Sequence, residues 1–230
     1  MNTLVAVLEA LVVIAALIAL ALALVALGTK LLSRPRRVGA VQIGALQDST
    51  HTDASGAVRS VQSADLEIAT AALETIWTPV HLERLARTYW RFLTRCTLGL
   101  IRVKYSDEER FVVLLFRPLV LLAFRKPEYE IDASRGVVRW RIESGVLVAV
   151  PGTDSDGYLE IEVRRQPSEA AGLSTLHVDV EIANYYPQIA ASIAQWAYAA
   201  TQSRIHVLVT YGFLRSIARG DLAPSRQQAS

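Results

Sequence analysis

"YLEIEVR" at Tyr158–Arg164 and "LHVDVEI" at Leu176–Ile182 alternate strictly between apolar and polar side chains. Successive strand residues point to opposite faces, so Leu159, Ile161 and Val163 fall on one face of a sheet with Leu176, Val178, Val180 and Ile182. Glu160, Glu162, Arg164, His177, Asp179 and Glu181 take the other face. The same period runs through "EYEID" (Glu128–Asp132), which sets Tyr129 and Ile131 against Glu128, Glu130 and Asp132. In "GVVRWRIE" (Gly136–Glu143) it sets Val138, Trp140 and Ile142 against Arg139, Arg141 and Glu143. Turn residues in "DASRG" and "PGTDSDG" separate the runs. Pairing two of them about "DASRG" opposes Glu130 to Arg139, Glu128 to Arg141 and Tyr129 to Trp140. The pattern predicts an antiparallel sheet with one charged, solvated face and one apolar face that needs a cover.

The cover follows Pro187. In "QIAASIAQWAYAATQSRIHVLVTYGFLRSIAR" (Gln188–Arg219) a helical period lines up Ile189, Ile193, Trp196, Ala200, Val207, Tyr211, Leu214 and Ala218. Gly220 suits the end of that helix, and "DLAPSRQQAS" reads as a disordered tail over 220–230. The β-branched "RIHVLVT" also fits a strand. Between Ala200 and Val207 no apolar residue fills the stripe, and Ser203 and Arg204 flank the gap, while Gln202 and His206 point away. An arginine beside an apolar sheet face is costly unless it reaches water, a carboxylate or an anionic ligand. Arg204 and Ser203 are therefore the candidate polar anchor of a ligand site, with Tyr129, Trp140, Trp196 and Tyr211 in its apolar lining.

Before the sheet, "ADLEIATAALETIW" (Ala64–Trp77) places Leu66, Ala69, Leu73 and Ile76 at helical spacing, although Leu66–Ala69 can equally finish a first strand. The next helix has Thr78 as its cap, Pro79 in its first turn and Gly99 at its end. Its apolar face carries Leu82, Leu85, Tyr89, Phe92, Leu93 and Cys96. Arg84, Arg87, Arg91 and Arg95 gather opposite, a candidate contact for an anionic membrane surface or an acidic partner. "FVVLLFRPLVLLAF" (Phe111–Phe124) is apolar on both faces and is broken into two strands by Pro118.

The N-terminus is of a different kind. "ALVVIAALIALALALVALG" (Ala10–Gly28) has no charge and is long enough to cross a bilayer core. No Lys or Arg precedes it, whereas Lys30, Arg34, Arg36 and Arg37 follow, which predicts an uncleaved single-pass anchor with the rest of the chain on the cytoplasmic side of the plasma (inner) membrane. The expected organisation is an anchor over 1–32, a tether over 33–60 with a short strand at Val38–Ile43, a folded domain over 61–219 and the tail. With 24 basic and 22 acidic residues in 230, the net charge of +2 gives no footprint for nucleic acid. One cysteine, Cys96, rules out an internal disulfide.

Short helices, a long meander of antiparallel strands and a long final helix laid across them resemble the START-like (SRPBCC, helix-grip) family. "RIHVLVTYGFLRSIA" (Arg204–Ala218) is similar to the closing helix of many bacterial members. The resemblance spans Val61–Arg219. It implies an α+β helix-grip fold whose cavity, between sheet and last helix, holds lipids, polyketides, sterols or other apolar molecules, and it carries no universal catalytic signature. The residues themselves point the same way. Ser203 and His206 lie one turn apart without an orienting acid or an oxyanion site. Glu160, Glu162, His177, Asp179 and Glu181 read as solubilising charge rather than metal ligands, and "GTDSDG" lacks the spacing and distal Glu of a calcium loop. No catalytic residue, metal or cofactor is expected. The expected function is a membrane-anchored, non-catalytic module for a lipid-like or other apolar ligand; the alternative is an accessory or assembly subunit of a membrane protein complex, its core filled by its own side chains.

Overall fold

The computed structural model describes residues 27, 34–54, 57–96, 99, 101–105, 109–114, 120–145, 157–185 and 195–225. They form strands β1 (Arg36–Val38), β2 (Val41–Ile43), β3 (Gln47–Thr52), β4 (Val58–Ala69), β5 (Ile101–Tyr105), β6 (Glu109–Leu114), β7 (Val120–Arg125), β8 (Glu128–Ile131), β9 (Arg135–Ser144), β10 (Tyr158–Pro167) and β11 (Leu173–Tyr185). Three helices accompany them: α1 (Thr70–Ile76), α2 (Pro79–Cys96) and α3 (Gln195–Arg219). The strands make one antiparallel sheet in the order β1-β2-β4-β11-β10-β9-β7-β6-β5, with β3 also on β4 and β8 also on β9. A mostly antiparallel sheet holding a C-terminal helix is the helix-grip arrangement. "RIHVLVT" is helical throughout, and Leu66–Ala69 finishes β4 rather than starting α1.

The inner face is the apolar one. Leu159, Ile161 and Val163 of β10, and Leu176, Val178, Val180 and Ile182 of β11, are buried in one core with Val138, Trp140 and Ile142 of β9. Their polar neighbours line the outer face as the period requires. The β8–β9 register differs from expectation by two residues: Glu128 faces Arg139 and Tyr129 faces Val138. The cause is a tight turn at Asp132, whose Oδ1 accepts the backbone N–H of Ser134 (2.7 Å) and Arg135 (2.8 Å) while its own N–H donates to the Arg135 carbonyl (2.8 Å). A slip of two keeps every side chain on its face. Arg141 still reaches Glu128 at 2.9 Å, now diagonally.

The segment expected to be a tether is part of the sheet. β4 pairs β11 along one edge, and without a neighbour its other edge would present a bare row of N–H and C=O groups. β2 takes the end of that edge near Leu66, and β3 takes the end near Ser60. Val38, Val41, Ile43 and Leu46 are buried in the core. Gly44 interrupts the two strands, its N–H donating to the Asp65 carbonyl at 2.8 Å. The C-terminal tail is also not loose where it is described, because Ala223 and Ser225 are buried. Among the described residues no helix is long and apolar enough to cross a membrane; the expected span over 1–32 lies outside them apart from Leu27.

α2 forms where Thr78 Oγ1 accepts the His81 backbone N–H (3.3 Å) and ends where the Gly99 N–H reaches the Thr94 carbonyl (2.8 Å). Leu82, Leu85, Ala86, Tyr89, Trp90 and Leu93 are its buried residues of apolar character. It crosses α3 closely at Gly212, where a Cβ would sit 2.7 Å from Phe92 Cε1. Gly212→Ala should therefore destabilise the protein by about 1–3 kcal/mol in denaturant titration, although alanine is the better helix former by up to about 1 kcal/mol. Adding Phe92→Leu should recover part of that loss. A Gly212→Ala protein at least as stable as the parent would show that the two helices do not press on each other there.

Candidate functional site

Of the residues expected to form a site, Tyr129, Trp140 and Tyr211 have described side chains, and Trp140 and Tyr211 share one buried core. Trp140 is 1% exposed and meets Trp90 edge-on, ring centroids 5.2 Å apart, so it is core packing. Tyr129 lies on the inner face but at an uncovered rim, 43% exposed. Tyr211 is buried and accepts a hydrogen bond from Arg36 Nη1 (3.0 Å). Arg215 packs over the Tyr211 ring at 5.8 Å. The side chains of Arg204, Ser203 and Trp196, in the first half of α3, lie outside the described ones. Tyr89, Trp90, Phe124, Trp140 and Phe213 form a chain of edge and tilted contacts through the interior, which the Tyr89–Phe213 pair joins to α3. Among the described residues the buried Trp90 Nε1–H has no acceptor.

The arginine stripe of α2 is divided. Arg84 Nε donates to the Ala223 carbonyl (3.1 Å), and Arg91 Nη2 donates to the Asp221 carbonyl (2.7 Å) and lies 3.5 Å from its carboxylate. Thr88 Oγ1 accepts the Ala223 N–H (2.8 Å), and Ser225 donates to Glu83. Residues 221–225 thus run as a strap along the face expected to be bare. Arg95 is exposed and Arg87 half-buried.

The outer face of the sheet is a network of paired charges. Arg59 holds Glu181 (2.7 Å), Arg139 holds Glu160 (2.5 Å), Arg135 holds Glu162 (2.9 Å) and Arg164 holds Asp179 (2.5 Å). His177 stands between Asp65 (2.6 Å) and Asp179 (3.2 Å). Tyr158 donates to Glu181 at 2.7 Å, and burial with that carboxylate pushes its phenol up to about 12. Most of these carboxylates have a basic partner of their own, so the face solubilises the sheet. Among the described residues no group of three or more His, Cys, Asp or Glu could hold a metal ion.

A pocket of about 80 Å³ opens at the other end of the core, where α1, α2, the sheet and the end of α3 meet. Leu73 and Ile76 come from α1, Leu82 and Leu85 from α2, Val163 and Leu176 from the sheet, and Ile217 from α3, while Leu222 of the strap also lines it. Thr78, His81 and Arg84 also line it, at i, i+3 and i+6 on the first turns of α2. His81 Nδ1 lies 2.8 Å from Thr78 Oγ1, and Arg84 Nη1 lies 3.4 Å from His81 Nε2. Arginine can only donate, so Nε2 accepts and Nδ1 carries the proton toward Thr78. Burial, and then the nearby Arg84 charge, lower the His81 pKa, which favours this neutral form. Sequence reasoning assigned Thr78 to a cap and Arg84 to an outer face, and did not weigh His81. Their shared spacing of three was the available signal.

No family model and no curated protein matches the chain. Solved structures that match include DR_A0006 from Deinococcus radiodurans, 16% identical over 70% of this chain and 98% of that one, TM-score 0.31. Norcoclaurine synthase from Thalictrum flavum is 15% identical over 70% and 91%, TM-score 0.29. Human STARD10 is 6% identical over 76% and 78%, TM-score 0.25. START-like and Bet v1-like folds are thus among the neighbours. At these scores the fold rests on this chain's own register and packing.

His81 gives the pocket a pH signature. A pKa lower folded than unfolded means that protons favour the unfolded chain, so this contribution is complete above the ordinary histidine value and is lost as pH falls below about 6.5. Between pH 7.5 and 5.5 the wild type should lose more thermal stability than His81→Gln does. Equal losses would assign the pH dependence to groups elsewhere.

Proposed function

We propose that the chain is a non-catalytic, membrane-anchored binding module for a lipid-like or other apolar ligand, with the folded domain on the cytoplasmic side. The observation that carries the ligand reading is the apolar pocket at the end of the helix-grip core, polar only along the Thr78–His81–Arg84 edge. Ligand pockets have this composition, an apolar lining with a few placed polar groups. The anchor rests on the uncharged run Ala10–Gly28 and the arginines after it. With β1 beginning at Arg36, a span ending near Leu32 would leave almost no linker, and the domain would sit directly on the membrane surface. Arg87 and Arg95 are then the members of the α2 stripe that the strap leaves for an anionic surface or partner.

A second reading has its own observation. The aromatic contacts of Trp90, Trp140 and Phe124 fill the space between α2 and the sheet, as an accessory subunit of a membrane complex with a filled core would require. Two measurements test the proposal. Solvent extraction of protein purified without detergent, followed by mass spectrometry, should recover an apolar molecule in stoichiometric amount; its repeated absence favours the accessory subunit. A periplasm-active reporter fused after Ser230 should be silent, and strong activity would reverse the topology.

A further inference from the structure

The pocket and the strap carry a more specific reading, which rests on the ligand-binding function proposed above. Arg84 is the deciding residue. It borders an apolar cavity, its Nε–H is taken by a neutral backbone carbonyl, and its Nη1 faces a histidine nitrogen. Among the described residues no carboxylate pairs with it. Its neighbour on the same stripe, Arg91, does have an acid, Asp221. A half-buried guanidinium beside leucines, without a counter-ion among the described residues, is a place where an anion is favoured, and its planar fork matches carboxylate as it does phosphate.

The size of the cavity adds a second constraint. About 150 Å³ suffices for benzene, roughly twice the volume present here. An apolar body of useful size enclosed there therefore needs a wall to move. Six walls, Leu73, Leu82, Leu85, Val163, Leu176 and Ile217, are buried in the core. Among the half-buried walls, Leu222 is carried by the strap, which is fixed to α2 by hydrogen bonds at Arg84, Thr88 and Arg91. One of these, Arg84 to the Ala223 carbonyl, uses the donor that a ligand carboxylate would claim.

We propose that this pocket binds a single-chain or single-ring carboxylate, its apolar body against Leu73, Leu82 and Leu176 and its carboxylate on Arg84, and that it does so by displacing the Leu222–Ala223 strap. The carboxylate replaces the Ala223 carbonyl on Arg84, and the body takes the space Leu222 gives up. Thr78 Oγ1–H, whose oxygen already accepts from His81, is left to donate to the second carboxylate oxygen. Both arginines tie the strap, but they differ when the ligand enters: Arg84 exchanges its strap bond for the carboxylate, and Arg91 only holds the lid shut.

That difference is the test. The full chain in phosphatidylcholine nanodiscs is titrated calorimetrically with octanoate and with octanol, with empty nanodiscs as the blank. Octanoate should bind at least about 10-fold more tightly than octanol, the scale of one charge-assisted hydrogen bond. Arg84→Gln should erase that preference, and because it also frees the strap at Ala223, octanol should bind at least as tightly as to the wild type. Arg91→Gln should keep the preference and tighten octanoate severalfold by loosening the strap. Octanol matching octanoate in the wild type would overturn the carboxylate reading while leaving an apolar-ligand module standing. Losses of the same size in Arg84→Gln and Arg91→Gln would reduce both arginines to diffuse charge and overturn the strap. Heat from neither ligand, in the wild type or in Arg91→Gln, would remove the pocket as a ligand site altogether. The wild-type comparison needs no variant to fold, and near-UV circular dichroism checks the two variants.

Discussion

Trp90 meets Trp140 edge-on at 5.2 Å and lies against Phe124 at 5.5 Å, and at that contact α2 presses on the centre of the sheet. Aromatic pairs of this geometry add about 0.5–1.5 kcal/mol beyond the area they bury. Their larger effect is positional. With Trp90 seated on β9, Tyr89 is turned toward Phe213 of α3, ring centroids 6.0 Å apart, so one helix fixes both the sheet and the helix the sheet grips. Gly212 then becomes the point of closest approach, because Phe92 needs the space that a side chain there would take. The orphaned Trp90 N–H works against this contact, with a desolvation cost of about 1–3 kcal/mol, and the surrounding aromatic burial has to exceed it.

Filling the centre in this way moves free space to the end of the core. Large side chains from α2, β7 and β9 occupy the middle, while α1 and the first turns of α2 meet the sheet mainly through leucines, isoleucines and a valine, with Trp77 at the margin. The pocket is found there, in reach of the helix N-terminus and its polar residues. Packing therefore decides where free space is left, at some distance in sequence from the Ser203–Arg204 gap.

Local period carried most of the fold. Strands β8 to β11, the apolar face of α2 and the end of α3 at Gly220 follow from residues within a turn or a strand of one another. What sequence reading missed depends on partners far away in the chain. A short strand is expected at Val38–Ile43, but its residues do not show that the chain turns at Gly39–Ala40 into two strands, the second of which pairs with the bare edge of β4. The β8–β9 register turned on which oxygen Asp132 would use, and two registers with the same faces are indistinguishable by hydrophobic pattern. Arg84 and Arg91 look alike on a helical wheel. They separate only when residues 139 and 130 positions downstream return to them.

That return follows from how α3 ends. Gly220 has φ +68°, its N–H donates to the Ile217 carbonyl (3.0 Å), and the Asp221 N–H donates to the Ser216 carbonyl (3.0 Å). This is the Schellman arrangement, which reverses the chain immediately after the helix and favours an apolar contact from the residues that follow. The reversal sends Leu222 into the pocket and lays Asp221 and Ala223 on the arginine face of α2. A loose continuation would leave two half-buried arginines and an open apolar pocket in water. The strap covers all three at once with hydrogen bonds to main-chain groups, and those are bonds that another carbonyl or carboxylate oxygen can replace.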